Sequence, residues 1–289
     1  MINFSLFVAT VLIWGTTWIA IAWQIGPIGI VLSVFYRFAL AFVVFIIGLA
    51  ALGRLSLPSQ WRFVVLQALC LFSFNFLCFY KATSLMPSGL VSVIFSLATI
   101  FNAINARLIF GERVQSRTVL AGIIGALGLV LLFWHDVTVS LDLDVVQGIG
   151  WAALGTMFFS LGNMMSRKNT AHGVTPVIAN AWGMGIGALV LLGVASLSGA
   201  DFILPNTQSY ILALLYLSVI GSVVGFSTYL IMVARLGSDK AAYATVLFPI
   251  VALALSTIYE GYEWYGTSFA GLGLTILGNL VMFSRIKPA

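Results

Sequence analysis

The stretch VLSVFYRFAL, residues 31–40, is almost entirely apolar and aromatic except for Arg37 near its end. A guanidinium presents fixed N–H donors in a fork that matches a carboxylate. Two kinds of role are open to it: docking the carboxylate of a solute, or binding backbone carbonyls of a neighbouring helix or serving as an outer gate. Other residues able to hold a solute recur at helical spacing. Trp14, Thr17 and Trp18 fall on one helix face, and so do Phe95, Asn102 and Asn105. Asn75, Asn163, Asn180, Tyr229 and Tyr243 add single candidates from other segments. Amides and hydroxyls also join helices to each other inside membranes, at about 0.6 kcal/mol per contact, so about half of these groups are expected to be such joints. With Phe79 and Phe95, the rings of Trp14 and Trp18 can shape a mostly apolar pocket in which a few amides and Arg37 orient a small zwitterion.

Composition says what must position these residues. The chain is 61% hydrophobic and 7% charged, whereas an ordinary soluble domain is about 25% charged. Apolar runs of about 20 residues, long enough for a hydrocarbon core of about 30 Å, recur from end to end. They cover residues 4–24, 29–52, 61–80, 88–109, 117–134, 146–166, 176–196, 209–233, 240–259 and 265–284. An all-α membrane protein with ten transmembrane helices is expected, because the alternating ten-residue strands of a membrane barrel do not occur. The connections are too short for an extramembrane domain. No basic side chain precedes the first run, so that run is expected to stay as a span and not to be removed as a signal. Arg37 then lies roughly 13 Å inside a core of about 30 Å. That depth costs several kcal/mol unless the side chain faces a polar cavity or partner.

Charge gives the orientation. Eleven of the thirteen basic residues fall in the even-numbered loops and the C-terminal tail, while six of the eight acids fall in the odd-numbered loops. Both termini are therefore expected in the cytoplasm. The net charge of +5 reflects this bias, and no basic stripe suggests nucleic acid. Cys70 and Cys78 stand about 12 Å apart along one helix, too far to bridge. They read as small apolar fillers.

Residues from Phe79 onward have a counterpart beginning at Tyr229, about 150 residues later. Each copy runs helix end, polar turn, helix, acidic turn and glycine-rich helix. The glycines are Gly122, Gly125 and Gly128 in one copy and Gly271, Gly273 and Gly278 in the other. Five spans per half is an odd number, so residues 1–140 and 141–289 are expected as two five-helix repeats of opposite orientation within a single membrane domain. Glycines at this spacing let helix backbones approach closely. The fifth and tenth helices should therefore pack together, and a homodimer seam would use the same chemistry, so monomer and homodimer both stay open.

Taken together, the Trp14-Gly15 pair, Arg37, the FGER stretch at 110–113, Pro249 and the two glycine-rich spans resemble the EamA-type branch of the drug/metabolite transporter superfamily over nearly the whole chain. The resemblance implies ten helices, two inverted repeats and export of small metabolites through a central cavity. Within that branch the chain is most similar to bacterial amino-acid exporters, which implies a bacterial inner membrane. It departs from the pattern at residues 96–99, where SLAT stands in place of a proline mirroring Pro249; the two halves are not expected to bend alike.

None of the eight acids falls in mid-span, which weighs against cation transport and carboxylate-based proton coupling. Facilitated, gradient-driven export of a neutral or zwitterionic solute by alternating access is expected, with a broad drug or metabolite exporter, proton-coupled or not, as the alternative. Glu112, between Arg107 and Arg113, is expected to pair locally or cap a turn. Neither HExxH nor GxSxG occurs, and His135 and His172 fall in loops on opposite sides, so no enzyme, cofactor or metal site is expected. A channel would need a ring of carbonyls or charges, and no filter-like stretch is present. The expected partners are a small-molecule substrate and the lipid bilayer.

Overall fold

Inside hydrocarbon every backbone N–H and C=O has to be paired within the chain, which makes the helix compulsory for a span. The computed structural model of the protein describes residues 2–138, 140, 142–203, 205–236 and 244–283, and those residues are helices joined by short turns with no strand among them. The helices are α1 (Ile2–Ala22), α2 (Ile30–Ala51), α3 (Trp61–Thr83), α4 (Ser88–Ser96), α5 (Ala98–Phe110) and α6 (Ser116–Leu132). A single turn, α7 (Trp134–Thr138), leads to α8 (Leu143–Ala171) and α9 (Pro176–Leu197). Next comes α10, built from Gln208–Leu215, a π-helical Tyr216–Val224 and Gly225–Leu236; α11 (Ala244–Tyr259) and α12 (Gly266–Phe283) follow.

Among the described residues, α1, α2, α3, α8, α9 and α10 are long and apolar enough to cross a membrane, and the bent pair α4–α5 makes a seventh such span. Helices α6, α11 and α12 are apolar but shorter. All ten apolar runs of the sequence fall on these elements, with residues 240–243 and 284 lying outside the described residues.

The two halves do bend differently, and the sharper break is in the half without proline. Helices α4 and α5 meet at 41°, whereas α11 continues through Pro249 as one helix. Hydroxyls account for the break: Ser92 Oγ donates to Gly89 O at 2.5 Å and Ser96 Oγ to Val93 O at 2.7 Å. Such back-bonding competes with the helix ladder. Asn279 of α12 bridges the break, donating to Ser96 Oγ at 3.3 Å and accepting from Thr99 Oγ1 at 3.2 Å. A π-helical stretch interrupts α3 at Cys70–Phe74 as another interrupts α10. In both, a serine hydroxyl reaches five residues back: Ser73 to Ala68 O at 3.2 Å and Ser222 to Leu217 O at 2.9 Å.

Helices α6 and α12 form the most extensive pair. A Cβ on Gly128 would stand 2.5 Å from Thr275 Oγ1, and one on Gly278 would stand 2.9 Å from Ala121 O. Gly273 faces open space and Gly122 makes only ordinary contacts, so the seam uses part of the glycine pattern. The remaining helices pack as α2 on α9, α3 on α8 and α9, α1 on α10 and α11, α2 on α10, and α4 on α11, with α8 also against α5.

Candidate functional site

Two joined cavities occupy the space between these helices. The inner one, a chamber of about 60 Å³, is lined by Trp14, Thr17, Trp18, Arg37, Asn75, Phe79 and Phe95, together with Ile21, Leu71, Phe76, Phe159, Gly221, Phe226 and Phe248. The outer one, a vestibule of about 770 Å³, shares Trp14, Leu71, Phe95, Phe159 and Phe226 with the chamber. Its walls carry Asn102, Asn163, Asn180 and Tyr229, and its mouth carries Glu112, Arg113, Gln115, Arg117 and Arg167. Tyr243 lies outside the described residues.

The π-helical stretches aim much of this lining. Widened turns shift side-chain register; Leu71 sits within the one in α3, with Asn75 and Phe76 just after it, and Gly221 within the one in α10, with Phe226 after it. Two glycines in α10 let α1 come close. A Cβ on Gly225 would lie 2.8 Å from Trp14 Nε1, and one on Gly221 would lie 2.8 Å from Thr17 Cγ2. Trp14 can then sit 4.9 Å from the Tyr229 ring and 5.6 Å from that of Phe226. Trp18 packs at 5.4 Å from Phe79 and 5.7 Å from Phe95, and Phe95 at 4.6 Å from Phe159. Edge-to-face ring pairs of this kind contribute about 0.5–1.5 kcal/mol each beyond their buried area.

Arg37 is 3% exposed. Its Nε donates to Ser222 Oγ at 3.4 Å, its guanidinium carbon stands 4.4 Å from the Phe76 ring centre, and the Tyr80 hydroxyl is its other polar neighbour. Tyr80, fully buried, donates to Gln24 Oε1 at 2.6 Å, tying the chamber to the turn after α1. No hydrogen bond from Arg37 to a backbone carbonyl occurs among the described residues, and its Nη1 has no partner there. Asn75, also fully buried, has neither amide atom paired among the described residues. Unpaired buried polar atoms cost about 1–3 kcal/mol each, so two such groups on one chamber wall call for a function.

The other amides divide. Asn105 donates to Ser160 Oγ at 2.8 Å and to Met157 Sδ at 3.3 Å, joining α5 to α8. It does not line the cavity with Phe95 and Asn102, because these bonds turn its amide toward α8. Asn163 donates to Asn102 Oδ1 at 3.3 Å across the vestibule. Asn180 accepts from Gln67 at 2.8 Å, and Gln67 accepts from Asn169 at 2.8 Å. Glu112 does not pair with Arg107 or Arg113: its partner at 2.5 Å is Arg167 of α8, with both side chains about half exposed. A surface pair of this kind contributes about 0–1 kcal/mol.

Away from the basic mouth, α11 is clasped to the start of α4. Glu260, in the turn after α11, accepts from Ser88 N at 3.0 and 3.1 Å and from Ser88 Oγ at 2.7 Å, and Ser256 Oγ donates to it as well. Ser256 Oγ accepts from Gly89 N at 2.7 Å. The carboxylate thus pairs orphan donors at the N-terminus of α4, where negative charge is favoured. Glu260→Ala removes the acceptor of several charge-assisted bonds, each worth about 1.5–3 kcal/mol. Amide exchange at Ser88 and Gly89, followed by mass spectrometry, is expected to quicken by about tenfold or more. Unchanged exchange would mean that the clasp does not hold the start of α4 in place.

Sequence spacing did not single out Glu260, Tyr80, Gln24, Ser222, Phe159 or Phe248. Gly221 and Gly225 did leave a signal, a small-xxx-small pair in α10 of the kind that marks close helix approach.

A model of the EamA-like transporter family matches residues 1–134 and 146–284. Protein PecM of Dickeya dadantii is 26% identical over 95% of this chain and 92% of its own length. Probable amino-acid metabolite efflux pumps of Salmonella typhimurium and Escherichia coli are each 26% identical over 67% of this chain and 66% of theirs. One solved crystal structure superimposes with a TM-score of 0.71 at 19% identity, covering 97% of this chain and 96% of that one. At that identity the likeness is one of fold.

Proposed function

The chain belongs to the EamA-like transporter family, and from that premise we propose that it is a ten-span carrier of small metabolites, amino acids foremost, working by alternating access around the chamber. As a family member it is a multi-pass membrane transporter. The proposal adds two inverted repeats, residues 1–140 and 141–289, both termini in the cytoplasm of a bacterial inner membrane, and export down a gradient.

Exchange of the two halves supports the repeats. Helix α3 packs on α8 as α10 packs on α1, α3 on α9 as α10 on α2, and the α4–α5 pair on α8 as α11 on α1. The α2–α9 and α6–α12 pairs map onto themselves under the same exchange. A π-helical stretch interrupts the third span of each half. Pseudo-symmetric halves enclosing one site are the usual basis of alternating access.

The observation that carries the reading is the unpaired Arg37 Nη1 and Asn75 amide at the closed end of a vestibule whose mouth lies among Arg113, Arg117 and Arg167. By the positive-inside rule that mouth faces the cytoplasm, so this conformation is open to the compartment from which a solute is exported. A carboxylate entering from there would meet a charged, unpaired donor in a mostly apolar site. Among the described residues no acid lines the chamber, which favours gradient-driven movement over proton coupling. The relatives named as amino-acid metabolite efflux pumps favour amino acids as the class.

Liposomes containing pure protein test this. Saturable flux with counterflow is expected for at least one of threonine, methionine and phenylalanine, and none for a quaternary amine or a sugar. An imposed pH gradient should drive no uphill accumulation. Movement of the amine alone would overturn the amino-acid class; flux that stays linear in concentration would overturn the carrier.

A further inference from the structure

Charge along the route is one-sided. Arg113, Arg117 and Arg167 stand at the mouth and Arg37 at the closed end. Among the described residues Glu112 is the one carboxylate on either cavity wall, and Arg167 holds it at 2.5 Å. Within the chamber, rings and aliphatic groups surround two polar side chains with free bonding capacity: Arg37 through Nη1, and Asn75 through Nδ2 and Oδ1. Thr17, the other polar side chain there, already donates to Trp14 O at 2.7 Å. Besides the indole N–H groups of Trp14 and Trp18, the chamber therefore presents one charged donor, Arg37, one amide donor, Asn75 Nδ2, and two neutral acceptors, Asn75 Oδ1 and Thr17 Oγ1, and no counter-charge for an ammonium.

We infer that the chamber selects on net charge and carries 2-hydroxy monocarboxylates in preference to amino acids of the same side chain. This rests on the carrier reading above and reorders its substrate class, placing the 2-hydroxy acids ahead of the amino acids that the relatives' names favour. A carboxylate satisfies Arg37 Nη1 and Asn75 Nδ2, and a 2-hydroxyl donates its single proton to Asn75 Oδ1. The side chain lies against the rings. An ammonium in place of the hydroxyl would have three protons to satisfy with two neutral oxygens, Asn75 Oδ1 and Thr17 Oγ1, and no carboxylate. Ring faces supply only a partial substitute for its lost hydration, and Arg37, a like charge, shares the same small chamber. Desolvating an ion without a counter-ion costs more than its neutral contacts return. A monoanion, by contrast, leaves the occupied chamber neutral.

Counterflow in proteoliposomes of the whole protein at neutral pH, with protein-free liposomes subtracted, tests this using phenylalanine, 3-phenyllactate and phenylalanine amide. The flux of 3-phenyllactate is expected to exceed that of phenylalanine by about tenfold or more, a factor set by the unpaired ammonium. In net uptake with no substrate inside, an inside-positive potassium diffusion potential should speed 3-phenyllactate entry, since one net negative charge then moves with it, and leave phenylalanine entry unchanged. The cationic amide should not move. If phenylalanine moves and 3-phenyllactate neither moves nor competes, the inference fails while the carrier stands. If no compound moves, including threonine and methionine, the carrier reading fails first and takes the inference with it.

Discussion

Arg37→Ala is expected to cut solute flux in proteoliposomes by about 10- to 100-fold while leaving the folded protein as stable as before. The charge-assisted bond from Arg37 Nη1 to a carboxylate is worth about 1.5–3 kcal/mol. Losing it lowers affinity by about one to two powers of ten at about 1.4 kcal/mol per factor of ten. Stability should respond differently. The native guanidinium makes a long bond to Ser222 at 3.4 Å, has the Tyr80 hydroxyl as its other polar neighbour, leaves Nη1 without a partner among the described residues and is 3% exposed. Removing it therefore relieves a burial cost that roughly cancels the stabilisation from that bond and from the Phe76 ring. A group serving only to join helices would give the opposite result, full flux with a lower melting temperature. Arg37→Lys keeps the charge without the fork and should fall between wild type and alanine in flux. Full flux in the alanine variant would end the docking role.

The helices were legible because bilayer thickness fixes a length that composition alone reveals. What composition could not show is how a span departs from regular helix. The break at Leu97 depends on Ser96 choosing the carbonyl of Val93 and on Asn279, some 180 residues away, spanning the gap. The π-helical stretches likewise turn on hydroxyls reaching five residues back. Proline, the usual sign of a bend, pointed to α11, where Pro249 sits inside an unbroken helix. Loss of a ladder bond at a proline can be absorbed without a visible break when neighbouring helices hold the segment.

For the site, helical spacing was enough to gather Trp14, Thr17 and Trp18, because one unbroken helix carries all three. The same reasoning failed for Asn105, whose amide is taken up by Ser160 and Met157 of α8 and does not face the cavity. Charge in a loop told only part of the story: Glu260 lies in the turn where the sequence put it, and it also clasps the start of α4. Its partners lie 172 residues away in sequence, so no local pattern announces them. Tyr80 and Gln24 are hidden in the same way, each an ordinary residue until folding joins them.

Gly271→Val is expected to cost the protein its fold, and its neighbour two residues on supplies the control. A Cβ at 271 would lie 2.6 Å from Gly128 O and 2.7 Å from Leu132 Cα. These are atoms of a helix backbone and cannot swing aside as a side chain can. Carbon pairs sit best at about 3.5–4.0 Å, so α6 and α12 would have to part by about an ångström along their length. Inside lipid there is no hydrophobic effect to hold them together at the wider spacing, only the packing that the separation removes. Overpacking typically costs about 1–3 kcal/mol, and a backbone clash belongs at or above the upper end. For a chain of this size that lowers the melting temperature in detergent by about 6–12 °C, or prevents folded protein from accumulating. A Cβ at Gly273 meets nothing within 4 Å, and Gly273→Val should melt close to wild type. Because each half contributes one helix to this seam, its loss would part the two halves where both hold the same partner, and flux should vanish with stability. Equal melting of the two variants would mean that the close approach of α6 and α12 is not what joins the halves.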